Sequence, residues 1–272
     1  MDFQMTKIKG VILDWAGTIV DFGSLAPMGA FVELFARHHI EISIDEARRP
    51  MGLPKIDHIT ALGQIPAIAL QWQQQFGRTF ERNDAQILLQ EFEPMSAKAA
   101  MDHSEFIPGF LNVYKNLQAK GLRFATTTGY TRKIMTPLIE KAYQQGFEPA
   151  LVICCDDVVR SRPDPMGVEQ CLHAMQLSGQ AAHVIKVDDT APGLAEGLAA
   201  GCWTVGVAAS GNALGWTYDD WVQASDSEKS LALLPAVALL QKSGAHEIID
   251  SVADLPTAIE RIEQRIAHGE TP

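Results

Sequence analysis

The chain has 272 residues, a formal net charge of −11 at pH 7 and a sequence pI near 5.1. A chain of this length can bury a large core, and it has room for one domain plus an inserted one. The acidic balance argues against a nucleic-acid or anionic-membrane surface, so we expect no partner of either kind.

The first predicted strand covers residues 8–14, an apolar run that ends at Asp14 and is followed by a glycine-containing turn. Residues 11–13 read as buried on both faces, which is typical of the middle of a parallel sheet. Such strands present their carboxyl ends to the ligand crevice, so we expect Asp14 at its floor. The amides around Ala16 and Gly17 could then face an anion. The alternative is a strand-terminal Asp that only caps the next turn.

The stretch from residue 25 to residue 105 has helical spacing and no credible strand. Ser43 and Glu46 form a capping box at the start of one short helix, and a further helical stretch begins at Lys55. More helices are predicted at about 66–76 and 84–101. An all-helical block between the first and second strands is an insertion, and we interpret residues 25–102 as a helical cap domain.

Strands and helices then alternate to the end of the chain. The predicted strands cover residues 122–127, 151–155, 183–187, 203–207 and 246–250, with helices between them. Thr131 is the predicted cap of the helix that follows the first of these strands. This pattern predicts an α/β fold with a doubly wound, mainly parallel, Rossmann-like sheet. The core domain would comprise residues 1–24 and 103–272.

The predicted third strand contains Cys154 and Cys155, which we expect to be buried free thiols. None of the four cysteines has the spacing of metal ligands, and free thiols fit a reducing cytoplasm. The N-terminus lacks the pattern of a signal peptide. No apolar run approaches the roughly 18 residues of a membrane span. We therefore predict a soluble, cytoplasmic protein.

Four predicted strands are followed by residues that carry chemistry: Asp14, Thr128, Arg162 and the pair Asp188-Asp189. The carboxyl ends of parallel strands meet at one edge of a sheet, so these groups are expected to lie together. The chemistry implied is phosphoryl transfer to a carboxylate, with Asp14 attacking phosphorus to give an aspartyl-phosphate that water hydrolyses. Thr128 and nearby amides would hold the phosphoryl oxygens, and Arg162 would neutralise their developing charge.

The same strand ends offer oxygen ligands suited to Mg²⁺. These are the Asp14 carboxylate, a backbone carbonyl near Ala16 and one acidic residue of the pair at 188–189. The alternative for Arg162 is a purely structural ion pair within the loop, with Asp156, Asp157 or Asp164.

These positions resemble the four motifs of the haloacid dehalogenase (HAD) superfamily, in the correct order and over nearly the whole chain. The matching segments are Asp14-x-x-Gly17-Thr18, Thr128, Arg162-Pro163-x-Pro165 and Asp189-Thr190. The resemblance implies a HAD-like core that carries the cap. Most superfamily phosphatases have a second Asp, a general acid, two positions after the nucleophile. Ala16 stands there and cannot protonate an alkoxide, which makes sense if the departing atom is not oxygen.

The fourth motif also departs from the superfamily pattern Gly-Asp-Thr-x-x-Asp. Asp188 replaces the Gly, and Gly193 replaces the downstream Asp. Asp188 could restore the charge lost at 193. The departure leaves the metal ligand open between Asp188 and Asp189, and we prefer Asp189 because it is the register-matched residue.

Lys55 in the cap suits the breaking of a carbon–phosphorus bond, which requires a carbon that leaves with its electrons delocalised. An amine condensed with a neighbouring aldehyde forms a protonated imine, which is such an electron sink. Desolvation and nearby cations can bring a lysine pKa towards neutrality. Taken alone, Lys55 would read as a solvated helix lysine, and the missing acid at Ala16 favours the catalytic interpretation.

Three segments, residues 14–18, 51–58 and 127–132, closely resemble the phosphonoacetaldehyde hydrolase (phosphonatase) family. The resemblance implies hydrolysis of phosphonoacetaldehyde to acetaldehyde and phosphate, a step of phosphonate degradation, with Mg²⁺ and as a homodimer. It implies that Asp14 is the nucleophile and that Lys55 is the Schiff-base lysine. The groups that hold the phosphonyl oxygens would be Thr128, Gly129 and Arg162. It also implies that the metal ligands are Asp14, the Ala16 carbonyl and Asp189. The residues that shape the pocket round the imine would be Tyr130, Met51 and His58.

Several alternatives remain at the level of sequence. His58 could be a polar helix residue or a dimer contact, and Tyr130 and Met51 could serve packing alone. A rival function is a HAD-type phosphatase that acts on a small phosphate ester with a good leaving group. A rival of another class is a catalytically silent phospho-ligand binder. A dehalogenase is disfavoured because the metal carboxylates would have no obvious task.

Overall fold

The computed structural model describes residues 8–272 and contains one six-stranded parallel sheet. The strands, in chain order, are β1 Gly10–Leu13, β2 Arg123–Thr127, β3 Val152–Ile153, β4 Val184–Asp188, β5 Trp203–Val207 and β6 Glu247–Ile249. Their order across the sheet is β3-β2-β1-β4-β5-β6. The chain therefore winds outwards in both directions from β1, which confirms the doubly wound α/β prediction. The expectations that fall on residues 1–7, including the absence of a signal peptide, lie outside the described residues.

Twelve α-helices are present in the described chain. Five lie between β1 and β2: α1 Ala26–Arg37, α2 Ile44–Arg48, α3 Lys55–Gly63, α4 Pro66–Phe76 and α5 Arg82–Asp102. Seven follow: α6 Phe110–Ala119, α7 Arg132–Gln144, α8 Met166–Ala174, α9 Ala191–Ala199, α10 Tyr218–Gln223, α11 Asp226–Lys242 and α12 Leu255–Ala267. None of these helices is long and apolar enough to span a bilayer.

The position of β1 follows from its sequence. Val11, Ile12 and Leu13 have no exposed surface, and β1 pairs with β2 on one side and β4 on the other. Alternate side chains enter different apolar clusters, with Val11 and Leu13 in the larger one and Ile12 in a smaller one. A strand that is apolar on both faces is stable only in such a doubly covered position. Its carboxyl end, at Asp14, is therefore central to the fold.

The helical block is organised as its local signals predict. At the start of α2 the Glu46 amide donates to the Ser43 hydroxyl at 3.2 Å, and the Ser43 amide donates to the Glu46 carboxylate at 2.9 Å. This is the predicted capping box. Helix α5 packs against α1 and α3 within the block and against α7 of the core. The division into a core and a cap at residues 24/25 and 102/103 stays our proposal, and the end of α5 at Asp102 supports it.

Two local predictions differ from the structure. Strand β3 has only two residues, because the Cys154 amide donates to the Asp157 carboxylate at 2.7 Å instead of continuing the ladder to β2. Thr131 occupies the N-cap of α7, but its hydroxyl donates to Glu93 on α5 and not to the helix. The Asp156 carboxylate accepts the Arg132 amide at 2.7 Å and so caps α7 in its place.

The two segments that join the helical block to the sheet are tied together. The Asp21 carboxylate accepts the Leu25 and Ala26 amides at the start of α1, at 3.0 and 2.9 Å. His103, directly after α5, lies 3.4 Å from the same carboxylate. The hydrogen bond that the His103 ring donates to Asp21 raises the pKa of His103. The four cysteines are free, as predicted, although Cys155 is only half-buried.

Candidate active site

Asp14 is at the floor of a cavity at the carboxyl end of β1, where it is 6% exposed. Burial, reinforced by the Asp188 carboxylate, raises the pKa of Asp14 to about 6, against the opposing charges of Arg162 and Lys186. The turn after Asp14 requires glycine, because Gly17 has φ +82° and a Cβ there would lie 2.3 Å from an Asp189 carboxylate oxygen. The turn therefore brings backbone and carboxylates close together beside Asp14.

Arg162 lies against the nucleophile candidate and is 4% exposed. Its Nη2 is 2.9 Å from the Asp14 carboxylate and 3.3 Å from that of Asp188, and its Nε is 3.1 Å from the Glu196 carboxylate. Burial alone would lower the pKa of Arg162, but these three carboxylates outweigh burial and raise it. The alternative of a loop ion pair with Asp156, Asp157 or Asp164 is wrong; the last two pair with Arg132 and Arg160.

Thr128 and Gly129 follow β2 and line the same cavity. The Thr128 amide donates to the Ile153 carbonyl at 2.9 Å, while its hydroxyl accepts the Tyr130 amide at 3.2 Å. Gly129 lies beneath the cap, since a Cβ at this position would be 2.9 Å from the Leu53 carbonyl oxygen. Only glycine lets the cap segment that precedes α3 approach the core this closely.

Lys55 is the first residue of α3 and enters the cavity from the cap side. It is 3% exposed, and its Nζ lies 4.6 Å from the centre of the Tyr130 ring and 5.6 Å from that of Phe31. The Met51 sulfur is 4.0 Å from the same nitrogen. Burial lowers the pKa of the Lys55 ammonium to about 8, although negative charge on Asp14 opposes this shift. The cap thus presents an amine that is partly neutral at physiological pH.

Cap and core residues together line one cavity. Met51, Gly52 and Lys55 contribute the cap side, and Asp14 and Arg162 contribute part of the core side. A buried amine and a buried carboxylate therefore face the same cavity. A concave site lined by a few convergent polar groups is typical of small-molecule binding.

Three buried carboxylates, those of Asp14, Asp188 and Asp189, offer oxygens within 4.8 Å of one another. Asp188 already has partners, with Lys186 Nζ at 2.9 Å and the Thr190 hydroxyl at 2.7 Å. Burial raises the pKa of Asp188, but Lys186 and Arg162 outweigh it, and the pKa is lowered.

Asp188 Oδ2 lacks a hydrogen bond but is ion-paired with Lys186 and Arg162, whereas Asp189 has a buried oxygen with neither kind of partner among the described residues. The Oδ2 of Asp189 accepts the Asn212 amide at 2.7 Å, but its buried Oδ1 has no hydrogen-bond partner. Burial and the charges of Asp14 and Asp188 raise its pKa well above the usual range. A buried, unpaired oxygen beside Asp14 is the arrangement that a bound cation would satisfy. The donor set therefore fits a hard divalent metal ion.

A family model for haloacid dehalogenase-like hydrolases matches residues 8–201. Over 268 residues the chain is 43% identical to the phosphonoacetaldehyde hydrolase of Paraburkholderia xenovorans, covering 98% of this chain and 100% of that protein. The phosphonoacetaldehyde hydrolase of Salmonella typhimurium is 42% identical over 270 residues, with the same coverage of both chains.

The chain belongs to the phosphonoacetaldehyde hydrolase family of haloacid dehalogenase-like hydrolases. The crystal structure of a phosphonoacetaldehyde hydrolase-like protein from Oleispira antarctica has the same fold, with a TM-score of 0.95 and 41% identity. That match covers 98% of this chain and 97% of the other chain. The resemblance predicted from the sequence motifs is confirmed.

For this member of the phosphonoacetaldehyde hydrolase family, the structure brings most of the predicted site residues to one cavity. Those on its wall are Asp14, Ala16, Met51, Lys55, Thr128, Gly129, Tyr130, Arg162 and Asp189. His58 lies behind that wall, where its ring stacks on Phe31 at 3.9 Å between centroids and its Nε2 is 2.9 Å from the Ala47 carbonyl oxygen. Burial, with the charge of Lys55, lowers the pKa of His58 well below its usual value. It supports the cap side of the site without facing the cavity.

The two departures from the fourth HAD motif occupy the same space. A Cβ at Gly193 would lie 1.9 Å from a carboxylate oxygen of Asp188. Asp188 therefore fills the volume into which a side chain at 193 would project. This agrees with the hypothesis that the charge of the missing residue 193 carboxylate is supplied from position 188.

Three buried polar residues beneath the site received no functional role from the sequence. They are Thr127 at the end of β2, Lys186 within β4 and Glu196 on α9, each at most 2% exposed. A usable signal existed for Lys186, because a lysine within a predicted buried strand requires a charged partner. No comparable signal identified Glu196, since one helical glutamate resembles any other.

Proposed function

We propose that the chain hydrolyses the carbon–phosphorus bond of phosphonoacetaldehyde to give acetaldehyde and phosphate. The observation that carries the proposal is the burial of Lys55 on the wall of the cavity whose floor holds Asp14. A phosphate esterase would not need an amine at this position. The relatives from Paraburkholderia xenovorans and Salmonella typhimurium bear the name of this activity.

The reaction begins with the cap. The neutral Lys55 amine adds to the aldehyde carbon, and the adduct takes up a proton from solvent and loses water. A protonated imine then joins the substrate to the enzyme. The Tyr130 ring, 4.6 Å from Nζ, stabilises the positive charge by a cation–π interaction. The imine carbon is adjacent to the carbon that bears phosphorus, so it can accept the electrons of the breaking bond.

The second step belongs to the core. The Asp14 carboxylate attacks phosphorus, the C–P bond electrons pass into the iminium group, and an enamine and an aspartyl-phosphate result. Arg162 and Thr128 hold the phosphonyl oxygens while charge develops on them. Water then hydrolyses the aspartyl-phosphate, and protonation and hydrolysis of the enamine release acetaldehyde and free Lys55. No leaving-group acid is needed, which agrees with Ala16 on the cavity wall.

Asp14, Asp189 and the Ala16 carbonyl would hold Mg²⁺ in this site. When bound, the ion neutralises charge so that an anionic carboxylate can approach an anionic phosphonate. Asp189 Oδ1 has neither a hydrogen bond nor an ion pair, which supports this assignment over Asp188. The Oδ2 of Asp188 also lacks a hydrogen bond but is ion-paired with Lys186, and its Oδ1 accepts the Thr190 hydroxyl.

Replacing Asp189 by asparagine is expected to weaken Mg²⁺ binding by about 10- to 100-fold or more. The reason is that one anionic ligand is lost while the fold around Asn212 is kept. Isothermal titration of the protein with Mg²⁺ measures this directly, without relying on turnover. Asp188→Asn is the matched variant, and it should change the Mg²⁺ affinity less. The reverse order of the two variants would assign the metal ligand to Asp188.

The rate of imine formation is expected to rise with pH through about 8, the pKa of Lys55, and to level off above it. Only the neutral amine attacks an aldehyde, so below this pKa the rate falls about tenfold per pH unit, whereas an ordinary lysine would titrate near 10.4. The measurement is the rate of borohydride-trapped Lys55 labelling by acetaldehyde between pH 6 and pH 10. A midpoint above about pH 10 would contradict the buried, depressed amine.

The proposed function is tested by comparing phosphate release from phosphonoacetaldehyde with release from a panel of small phosphate esters. The expected result is turnover of the phosphonate and at most weak turnover of the esters. Efficient ester hydrolysis without phosphonate cleavage would establish the rival phosphatase. Phosphate-site binding without any release would establish a silent binder.

We further propose a cytoplasmic homodimer. The free state of Cys154, Cys155, Cys171 and Cys202 supports a reducing compartment. The dimer rests on the family resemblance.

A further inference from the structure

Beneath Arg162 lies a closed polar cluster that joins β2, β4 and α9. Its members are Thr127, Lys186 and Glu196, which are 1%, 0% and 2% exposed. Thr127 Oγ1 lies 2.8 Å from Glu196 Oε2 and 2.9 Å from Lys186 Nζ. Lys186 Nζ is in turn 3.8 Å from Glu196. Because burying an unpaired ammonium or carboxylate is costly, these groups depend on one another.

The surrounding helices leave room for this cluster. A Cβ at Gly197 of α9 would lie 2.6 Å from Lys186 Cβ, and a Cβ at Gly167 of α8 would lie 2.8 Å from a Glu196 carboxylate oxygen. Glycine is unfavourable in the interior of a helix, so its presence at Gly197 has a packing reason. The space that holds Lys186 and Glu196 is therefore a built feature of the core.

The donors and acceptors of the cluster are fixed by chemistry. The Arg162 guanidinium and the Lys186 ammonium can only donate, and both lie within hydrogen-bond distance of Thr127 Oγ1, at 2.7 and 2.9 Å. Thr127 must accept from both and donate its single hydroxyl proton to Glu196. The same Glu196 oxygen accepts Arg162 Nε at 3.1 Å.

The guanidinium is held along two edges as a result. Arg162 Nε donates to Glu196, and Nη2 donates to the carbonyl and the hydroxyl oxygens of Thr127. In this orientation Nη2 lies 2.9 Å from the Asp14 carboxylate. We propose that Glu196 and Lys186 are positioning residues that hold Arg162 against the phosphonyl site. The charges of Arg162 and Lys186 offset those of Glu196 and Asp188. Asp14 and Asp189 then remain for the substrate and the metal ion. The proposal rests on the proposed function for the role of Arg162.

Glu196→Gln tests the proposal, because it keeps the shape of the side chain and removes the charge that orients Arg162. The expected result is a 10- to 100-fold loss of affinity for inorganic phosphate and a similar fall in kcat. Labelling of Lys55 by acetaldehyde and borohydride should stay within about twofold, since it depends on the cap. Asp84→Asn is the matched control, because Asp84 is also a buried carboxylate, paired with Arg78 in the cap. In that control the phosphate affinity should not change.

A second pair of variants keeps the test decisive if Glu196→Gln does not fold. Thr127→Ser preserves the hydroxyl and should bind phosphate like the wild type, whereas Thr127→Val removes it and should weaken phosphate binding about tenfold or more. Unchanged phosphate affinity in folded Glu196→Gln, or in both Thr127 variants, would overturn the proposal. A wild type that binds phosphate but leaves phosphonoacetaldehyde intact would overturn only the proposed function.

Discussion

Replacing Lys55 by arginine is expected to reduce phosphate release from phosphonoacetaldehyde by roughly four orders of magnitude or more. A guanidinium keeps the positive charge and the length of the side chain, but it stays protonated and cannot condense with an aldehyde. The measurement is single-turnover phosphate release with wild type and variant at saturating substrate. The variant should also lose borohydride-trapped labelling by acetaldehyde.

The affinity of Lys55→Arg for inorganic phosphate serves as the control for this experiment. Thr128 and Arg162 lie on the core side of the cavity, so phosphate binding should be close to that of the wild type. Any hydrolysis of activated phosphate esters should likewise persist. If the variant cleaves phosphonoacetaldehyde within tenfold of the wild type, the imine mechanism is wrong.

Asp14→Asn is expected to reduce turnover as much as Lys55→Arg does, but to leave imine formation at Lys55 intact. Phosphate release should fall by roughly four orders of magnitude or more, because a neutral amide does not attack phosphorus. Lys55 should nevertheless still form an imine. Its depressed pKa arises mainly from burial, with Asp14 acting against the shift. Borohydride-trapped labelling therefore separates the two variants.

The results for the two variants together show whether the reaction uses two nucleophiles or a single nucleophile. We expect Lys55→Arg to bind phosphate without labelling, and Asp14→Asn to be labelled without releasing phosphate. Loss of labelling in Asp14→Asn, with the fold shown intact by circular dichroism, would indicate that the carboxylate is needed for imine formation itself.

The fold could be predicted because its signals are local. The apolar run before Asp14, the capping box at Ser43 and the absence of strand patterns in 25–105 each depend on a few neighbouring residues. The order of strands then follows from the way parallel sheets are connected. The two-residue strand β3 was not predictable in this way, since the Cys154 amide is captured by a side chain, that of Asp157.

The site could be predicted where a motif carries its own chemistry, as at Asp14 and Lys55. It could not be predicted where a residue acts through a distant partner. Glu196 meets Arg162 only because α9 packs against β4 and β5 and so brings the Glu196 side chain to the end of β2, a relation that no spacing reveals. The family resemblance likewise placed His58 at the pocket round the imine, whereas the structure buries its ring against Phe31 and off the cavity wall.

The most direct test asks whether the cap amine and the core carboxylate act on one substrate molecule in sequence. Wild-type protein and Asp14→Asn are each incubated with phosphonoacetaldehyde and borohydride, and the modified peptide is identified by mass spectrometry. We expect an ethyl group on Lys55 in the wild type, where the C–P bond has broken before reduction, and a phosphonoethyl group on Lys55 in Asp14→Asn. Full phosphate release from the wild type with no adduct on Lys55 would contradict the mechanism.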